Sequence, residues 1–224
     1  MTEKSDSEHI KWMYLTGRGA GIDQASFPAA WNGHADLSGR FPQLMGNFTD
    51  SVMYCLLDGS DERFSAAAVL TLFDEDAVRA VLANPAAVSV IHPDEVRVFG
   101  DVIARLSFAA DEELVTDEPI PDPGAPAAIA WITRAEGASW EQFASELREN
   151  TLEASKAVAR CVIDWRHDGL FPDSIYAFDA AVELYGGEPG DAIRAAQWLV
   201  ASNGLHTDSI AVGGEIILNW KVNQ

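Results

Sequence analysis

Hydrophobic residues recur along the chain in short runs that suit strands, and longer runs of helical periodicity lie between them. The run Ile10 to Thr16 combines β-branched and aromatic side chains and ends at the turn GRGAG, which predicts a strand. Three more strands and two helices follow in the first half. We predict the helices at about 26–37 and 74–83, and the strands at 47–57, 65–73 and 102–108.

The second half repeats this order of elements. Its predicted helices cover 140–157 and 191–202, and its predicted strands cover 128–133, 160–166, 175–185 and 215–222. Each half is therefore βαββαβ, the ferredoxin-like order. Such a unit leaves one face of its sheet bare, so two units in one chain can close their bare faces into a barrel of about eight strands.

An acidic stretch with four prolines, Asp111 to Pro126, separates the two halves. Spaced prolines remove backbone donors and favour extended, solvated chain. We therefore predict a first repeat over 1–110, a linker over 111–126 and a second repeat over 127–224.

Matching residues in the two halves indicate an internal repeat. His92 and Asp94 lie opposite His206 and Asp208 at one common offset. We expect the two histidines in corresponding loops before the last strands. A shared structural task, such as capping a loop, is the economical explanation for a histidine that recurs in both halves.

The overall charge excludes one class of partner. The chain has 35 Asp and Glu against 15 Lys and Arg, a formal net charge of −20. Because phosphate affinity depends on Lys and Arg, a general nucleic-acid binder is excluded. With 48% hydrophobic residues, the composition is that of a globular protein with a sizeable core.

The chain also lacks targeting and membrane signals. Its apolar runs are shorter than the roughly 18 residues of a membrane helix, and residues 1–9 have no apolar signal core. We expect a cytoplasmic protein with no membrane partner. Exposed strands that pair between chains would allow a homodimer.

Two motifs carry a resemblance to a known family. The first is Trp31-x-x-His34-Ala35-x-Leu37 in the first helix, and the second is Asp94-x-x-x-x-Phe99-x-Asp101 before the last strand of the first half. Together with the order of elements, they resemble the EthD-like branch of the dimeric α+β-barrel superfamily.

The chain departs from the family pattern at three positions. Asp36 stands where the family's first helix usually has proline, and the second half has Leu147 and Asn150 in place of Trp31 and His34. The resemblance therefore implies one working pocket in the first half and a scaffolding second half.

The resemblance implies an α+β fold in which two fused ferredoxin-like repeats form a dimeric-type barrel within one chain. A pocket is implied between helices and sheet or inside the barrel. Characterised members of the superfamily include cyclases, isomerases, lyases, decarboxylases, monooxygenases and haem-dependent enzymes, so the fold does not fix the reaction.

His34 is the strongest catalytic candidate. Its position close to Trp31 and Leu37 puts it on the side of the helix that faces the sheet, where an imidazole can act as a general acid or base. The plainer alternative is a packed histidine with one satisfied hydrogen bond.

Strand alternation supplies further candidates. Asp179 lies on the same strand face as Glu183 and Tyr185, which is either the lumen or the solvent face. A carboxyl group in a dry lumen must be paired or protonated, so Asp179 is a candidate acid or base. Tyr54 on the second strand and His167 at a strand end are the remaining catalytic candidates.

Cationic and aromatic side chains suit substrate binding. Arg105 and Arg166 can each hold a carboxylate or phenolate, or can instead form an internal Asp–Arg pair. Aromatic walls for a planar ligand are expected from Trp12, Tyr14, Trp31 and Trp131, although the same residues also suit a barrel core. An HxD pair supplies two metal ligands at best, so we expect no metal and no other cofactor.

These residues predict a cofactor-independent enzyme for a small aromatic or lactone-like molecule. Proton transfer by His34, assisted by Asp179 or Tyr54, would drive a lyase, isomerase or cyclase step in a catabolic or biosynthetic pathway. Two alternatives stay open: a cofactor-free monooxygenase, and a non-catalytic protein that binds a small molecule. The sequence does not identify the substrate.

Overall fold

The protein is an α+β structure whose strands all pair antiparallel. The computed structural model describes residues 9–56, 63–188, 190–202 and 208–221, without the side chains of 54–56 and 219–221. The strands are β1 (Ile10–Thr16), β2 (Phe48–Leu56), β3 (Ala66–Leu72), β4 (Ser107–Leu114), β5 (Pro126–Ile132), β6 (Arg160–His167), β7 (Ala180–Tyr185) and β8 (Ile210–Lys221). The α-helices are α1 (Phe27–Ser38), α2 (Pro42–Met45), α3 (Glu75–Leu82), α4 (His92–Phe99), α5 (Trp140–Ala154) and α6 (Asp191–Ala201).

The eight strands close into a barrel, which confirms the predicted α+β barrel of about eight strands. Their order around the ring is β1-β3-β2-β8-β5-β7-β6-β4, and β4 pairs with β1 to complete it. The pairs β4·β6 and β2·β8 join the first half of the chain to the second. Every strand of the ring is paired on both of its edges. These strands therefore have no free edge for the pairing between two chains that the sequence suggested.

The predicted fourth strand was wrong in position. Residues 103–106 form a 3₁₀ turn, and the strand itself runs over Ser107–Leu114. The predicted linker therefore begins inside β4. Three of its acids belong to this strand, and each has a partner distant in sequence: Asp111 contacts His167, Glu112 contacts Lys11, and Glu113 binds Arg148.

Other elements also differ from prediction. Strand β7 begins at Ala180 instead of residue 175, because Tyr176 and Phe178 pack into the end of the barrel lumen. Strand β8 begins at Ile210, where it pairs with Trp131. His92 lies at the start of helix α4 and not in a loop, while the predicted partner His206 lies outside the described residues.

Side chains alternate along each strand between the barrel lumen and the outer face, which the helices cover in two layers. In β1, Met13 and Leu15 point into the lumen, whereas Trp12 and Tyr14 face the helices of the first half. A third core, between β5–β7 and the helices α5 and α6, is centred on buried residues such as Phe143. No helix within the described ranges is long and apolar enough to cross a membrane.

One end of the lumen is polar. The ammonium group of Lys11 contacts Glu183, and it lies 2.7 Å from Glu112 and 2.9 Å from Asp164. The Tyr185 hydroxyl donates to Glu183. Burial alone would lower the pKa of Lys11, but the three carboxyl groups outweigh burial and raise it. A cavity of about 460 Å³ adjoins this cluster.

The GRGAG turn after β1 has a packing role. The Gly19 amide donates to the Val98 carbonyl at 2.7 Å, and a Cβ atom at position 19 would overlap the carbonyl of Arg97. Helix α4 ends at Gly100, whose φ of 85° is left-handed. Glycine at position 19 thus allows the end of α4 to lie directly on the turn.

Gly19→Ala is expected to lower the free energy of unfolding by about 2–3 kcal/mol, because the added methyl group overlaps the backbone of α4. Gly33→Ala is the matched control: it lies at an exposed position of α1 with open space around the added Cβ. This control is expected to gain about 0.5–1 kcal/mol from helix propensity. Urea unfolding followed by circular dichroism measures both, and a Gly19→Ala variant as stable as wild type would contradict the close contact.

Candidate active site

A cavity of about 730 Å³ lies between the helices of the first half and the outer face of β1–β3. Trp12, Tyr14 and Trp31 line it together with aliphatic side chains such as Leu44 and Met53. The indole Nε1 of Trp12 donates to the Ser107 hydroxyl at 2.7 Å, so its polar atom is satisfied. The cavity thus has the size and the aromatic walls that suit a planar organic molecule.

Helix α1 places His34 in this cavity. Phe27, Trp31 and His34 form its buried face at helical spacing, and Asp23 accepts from the Ser26 amide to form the turn before the helix. Nδ1 of His34 lies 2.9 Å from Oδ2 of Asp94 on α4. Arg97 donates to the other oxygen of Asp94 at 2.7 Å.

The charges of this pair follow from its surroundings. Burial lowers the pKa of His34 below its usual range, and the hydrogen bond and charge of Asp94 offset only part of that effect. Burial would raise the pKa of Asp94, but the hydrogen bonds from His34 and Arg97 outweigh it and the net shift is downward. At neutral pH the imidazole is therefore neutral and the carboxylate is ionised.

This protonation state assigns the tautomer. An ionised carboxylate only accepts hydrogen bonds, so Nδ1 of His34 carries the proton and Nε2 keeps a free lone pair. The same logic applies to a histidine oriented by aspartate in acyl-transfer enzymes. His34 is thus prepared to accept a proton, and Asp94 can stabilise the imidazolium that forms.

Glu95 is a second ionisable group of the cavity that sequence reasoning missed. It lies on the buried face of α4, only 7% exposed, and its Oε2 accepts from the Ile103 amide at 3.0 Å. Burial raises its pKa to about 7, helped by the charge of Asp94 and opposed by the bond from Ile103. Helical spacing was the signal available in the sequence. Ile91, Glu95 and Val98 are spaced so that they share one helix face, and Ile91 and Val98 on that face are apolar.

Four of the predicted site residues therefore come together in one cavity: His34, Trp12, Tyr14 and Trp31. His92 also lines this cavity, and burial lowers its pKa. Tyr54 lies in β2, but its side chain is outside the described residues.

Two predicted residues lie elsewhere in the barrel. Trp131 is buried in the lumen, where its ring packs between Phe108 and Phe178. Asp179 precedes β7, and its side chain accepts from the Arg134 amide at 2.7 Å. Asp179 thus fixes a loop and does not assist His34 in the cavity.

The predicted cations also have other contacts. Arg105 forms an exposed ion pair with Asp101 at 2.7 Å. Arg166 binds Asp168 and the carbonyl oxygens of Tyr176 and Phe178. Both arginines therefore stabilise turns near the barrel end, and neither is among the residues that line the aromatic cavity.

His167 connects two elements of the first half to β6. Its Nδ1 lies 3.2 Å from Asp111, and its Nε2 lies 3.1 Å from Glu75 at the start of α3. Because opposite ring nitrogens contact the two carboxylates, the three side chains do not converge on a common point. The arrangement is that of a bridging histidine rather than a metal site.

The second half has its own core beneath its helices. Phe143 and Leu147 on α5 and Leu199 on α6 are fully buried against the outer face of β5–β7. The aromatic and ionisable residues described above for the aromatic cavity all come from the first half.

Solved structures share this fold at low sequence identity. A candidate monooxygenase of Fusobacterium nucleatum subsp. nucleatum matches with a TM-score of 0.63 at 9% identity, over 96% of this chain and 95% of that one. An anthrone oxidase-like protein matches with a TM-score of 0.61 at 9% identity, over 98% and 95%. Chlorite dismutase from Candidatus Nitrospira defluvii matches with a TM-score of 0.53 at 10% identity, over 96% and 92%.

These likenesses show the fold alone. Comparison of the sequence with family models and with curated proteins gives no match. The chemistry must therefore be argued from the cavity itself.

Asp94→Asn is expected to lower the pKa of His34 further, because the variant removes the negative charge that favours the imidazolium. An amide can also donate to Nδ1, which would move the ring proton to Nε2. Titration of the ¹⁵N-labelled imidazole by NMR measures both the pKa and the tautomer. Asp101→Asn, which breaks an exposed pair with Arg105, is the control and should leave His34 unchanged.

Glu95→Gln is expected to change how stability depends on pH. A carboxyl group whose pKa rises from 4.5 to about 7 on folding favours the native state below pH 4.5 and loses that contribution as the pH rises through 7. Relative to the variant, wild type should lose about 3 kcal/mol of unfolding free energy between pH 4.5 and pH 8. Urea unfolding at both pH values tests this, since parallel behaviour of the two proteins would contradict an ionisable Glu95 in the core.

Proposed function

We propose that the protein is a cofactor-independent enzyme that transfers protons on a small aromatic or lactone-like molecule bound in the aromatic cavity. The observation that carries the proposal is the His34–Asp94 pair: a neutral, oriented imidazole that lines an apolar cavity of about 730 Å³. The proposal assigns no step to a metal or an organic cofactor.

The chemistry begins with His34. Nε2 takes a proton from an acidic C–H or O–H group of the substrate, and Asp94 stabilises the resulting imidazolium through Nδ1. Return of that proton to a different atom of the substrate completes an isomerisation. Expulsion of a leaving group, or attack of the anion on a second carbon, gives a lyase or a cyclase step instead.

The aromatic walls have a positioning role in this scheme. Trp12, Tyr14 and Trp31 approach from β1 and α1, with the Tyr14 and Trp31 rings 6.4 Å apart between centroids. In this scheme, a planar substrate that packs against these rings presents its edge to the ionisable side chains of α1 and α4. The contribution of the walls is orientation and exclusion of water.

A cofactor-free monooxygenase is the second candidate. Its support is the likeness to proteins named as a candidate monooxygenase and as anthrone oxidase-like. After the same deprotonation, a substrate carbanion can react with dioxygen, so that a CH₂ group and O₂ give a carbonyl group and water. No external reductant is needed, and His34 keeps the same task in both candidates.

We also propose that the chain belongs to the EthD-like branch and arose from two fused repeats, the first extending to the end of β4 at Leu114 and the second beginning with β5 at Pro126. The element order supports this, since β1-α1-β2-β3-α3/α4-β4 and β5-α5-β6-β7-α6-β8 follow one plan. Cytoplasmic location and the existence of a homodimer stay predictions of the sequence.

The test is a turnover screen of wild type, His34→Ala and His34→Gln against aromatic acids, phenols, aromatic ketones and lactones, followed by mass spectrometry. Glutamine can still donate to Asp94 but cannot accept the proton, so we expect both variants to lose about 10²- to 10⁴-fold in rate. Parallel reactions without oxygen and with a chelator separate the candidates. Turnover that needs neither oxygen nor metal supports proton transfer, and turnover that needs oxygen alone supports the monooxygenase.

Two results would contradict the proposal. Turnover that survives in His34→Gln but disappears in His167→Gln would move the reaction to the contact among His167, Glu75 and Asp111. Absence of turnover, with ligand binding that is lost in Trp12→Ala and kept in His34→Ala, would favour a non-catalytic binding protein.

A further inference from the structure

We propose that Glu95 is a second catalytic residue of the cavity, a neutral carboxylic acid that donates a hydrogen bond to the carbonyl or phenol oxygen of an enolisable aromatic ketone or phenol. This inference rests on the proposed function and names the class of its substrate. It assigns a role to the one buried carboxyl group that lines the cavity and has no ion-pair partner among the described residues.

The position of Glu95 is fixed by its neighbours. Its Oε2 accepts from the Ile103 amide at 3.0 Å, and the carbonyl of Ile103 accepts from the Ser107 hydroxyl at 2.6 Å. Ser107 in turn accepts from Trp12, which is itself a wall of the cavity. One carboxyl oxygen of Glu95 is therefore held by an oriented peptide group.

The other oxygen is available to a ligand. The structure gives Oε1 of Glu95 no hydrogen-bond partner within the described part of the chain, although the residue is only 7% exposed and lines the cavity. Oε1 is therefore available to hydrogen-bond with a ligand oxygen that enters the cavity. When Oε1 carries the proton, the group is a donor aimed at whatever fills the cavity.

The charges around Glu95 favour the protonated acid. Asp94, next to it on α4, is ionised, and the nearest arginine of the helix, Arg97, is bonded to Asp94. The ionisable groups that face this region from the surrounding elements are Tyr14 on β1, His34 and Asp36 on α1, Arg40 after α1, and His92 on α4. Without a cation in contact, burial raises the pKa of Glu95 to about 7, so a substantial fraction is neutral at physiological pH.

A neutral acid and a neutral base in one cavity have complementary tasks. Nε2 of His34 takes the proton from the carbon beside the carbonyl group, and the electron pair of that C–H bond moves to form the enolate. Glu95 then donates a hydrogen bond to the enolate oxygen, where the negative charge collects. The imidazolium returns its proton to another carbon, which leaves both side chains as they began; buried carboxylic acids have this use in ketone isomerisation.

The same charges select the substrate class. An ionised Asp94 and a cavity without a buried arginine disfavour a carboxylate beside Glu95, whereas a neutral ketone or phenol meets a donor. Aromatic ketones and phenols are therefore expected to bind better than aromatic acids of equal size.

The test measures binding of acetonaphthone, a neutral two-ring ketone whose oxygen accepts but cannot donate a hydrogen bond, by quenching of tryptophan fluorescence between pH 6 and pH 8.5. Ionisation of Glu95 removes the donor and places a second negative charge in the cavity. The Kd of wild type should therefore rise about tenfold between pH 6 and pH 8. Glu95→Gln keeps an N–H donor and cannot ionise, so its Kd should not change with pH.

Two further variants isolate the effect. His34→Gln should keep the wild-type pH dependence, because the titrating group is Glu95 and not the imidazole. Glu136→Gln, at an exposed position of the second half, is the matched control and should behave as wild type. Glu95→Ala, which has neither donor nor charge, should bind acetonaphthone more weakly than wild type at pH 6.

The inference is overturned if Glu95→Gln keeps the pH dependence, if Glu95→Ala binds as tightly as wild type at pH 6, or if acetonaphthone does not bind at all. Because binding is measured without turnover, the two proposals fail separately. Turnover that depends on His34, with acetonaphthone binding indifferent to Glu95, would remove only the role of Glu95. Binding that depends on Glu95, with no turnover of any compound, would leave Glu95 as a recognition group and remove the proposed enzyme.

Discussion

Closure of the barrel is the constraint on which the rest of the structure depends. Once β1 pairs with both β3 and β4, its side chains have only two destinations, the lumen and the helix layer. Lys11 and Met13 then fall inside, and Trp12 and Tyr14 fall under the helices. A slip of one residue in the pairing of β1 would exchange the two sets, with a lysine under the helices and two aromatic rings in the lumen. The lumen cluster and the aromatic cavity therefore depend on a single register.

Features with a local signal could be predicted from the sequence. The strand β1, the helix that carries His34, and the aromatic walls all follow from periodicity within a few residues, and the structure brings His34, Trp12, Tyr14 and Trp31 into one cavity. Features that depend on partners distant along the chain could not be predicted. The acids of β4 resemble a solvated linker in sequence, because Lys11 and Arg148, which accompany Glu112 and Glu113, lie far away along the chain.

Glu95 shows the same limit within the site. The sequence predicts a loop around His92, whereas helix α4 begins there with Pro93 in its first turn. Proline is tolerated in the first turn of a helix, where its missing N–H has no partner to lose. The helical spacing that marks Glu95 as a buried residue becomes visible only once this segment is recognised as a helix.

The short turn over 103–106 connects these observations. The amide of Ile103 binds Glu95, its carbonyl accepts from Ser107, and Ser107 accepts from Trp12. Connections between a helix and a strand ordinarily tolerate changes of length during evolution, because their backbone faces water. Here the backbone of the connection holds groups of the cavity, and Ile103 is itself buried. Descendants of this chain would therefore vary freely in most surface connections but keep the number of residues between Gly100 and Ser107, and an insertion there would alter the cavity before it altered the barrel.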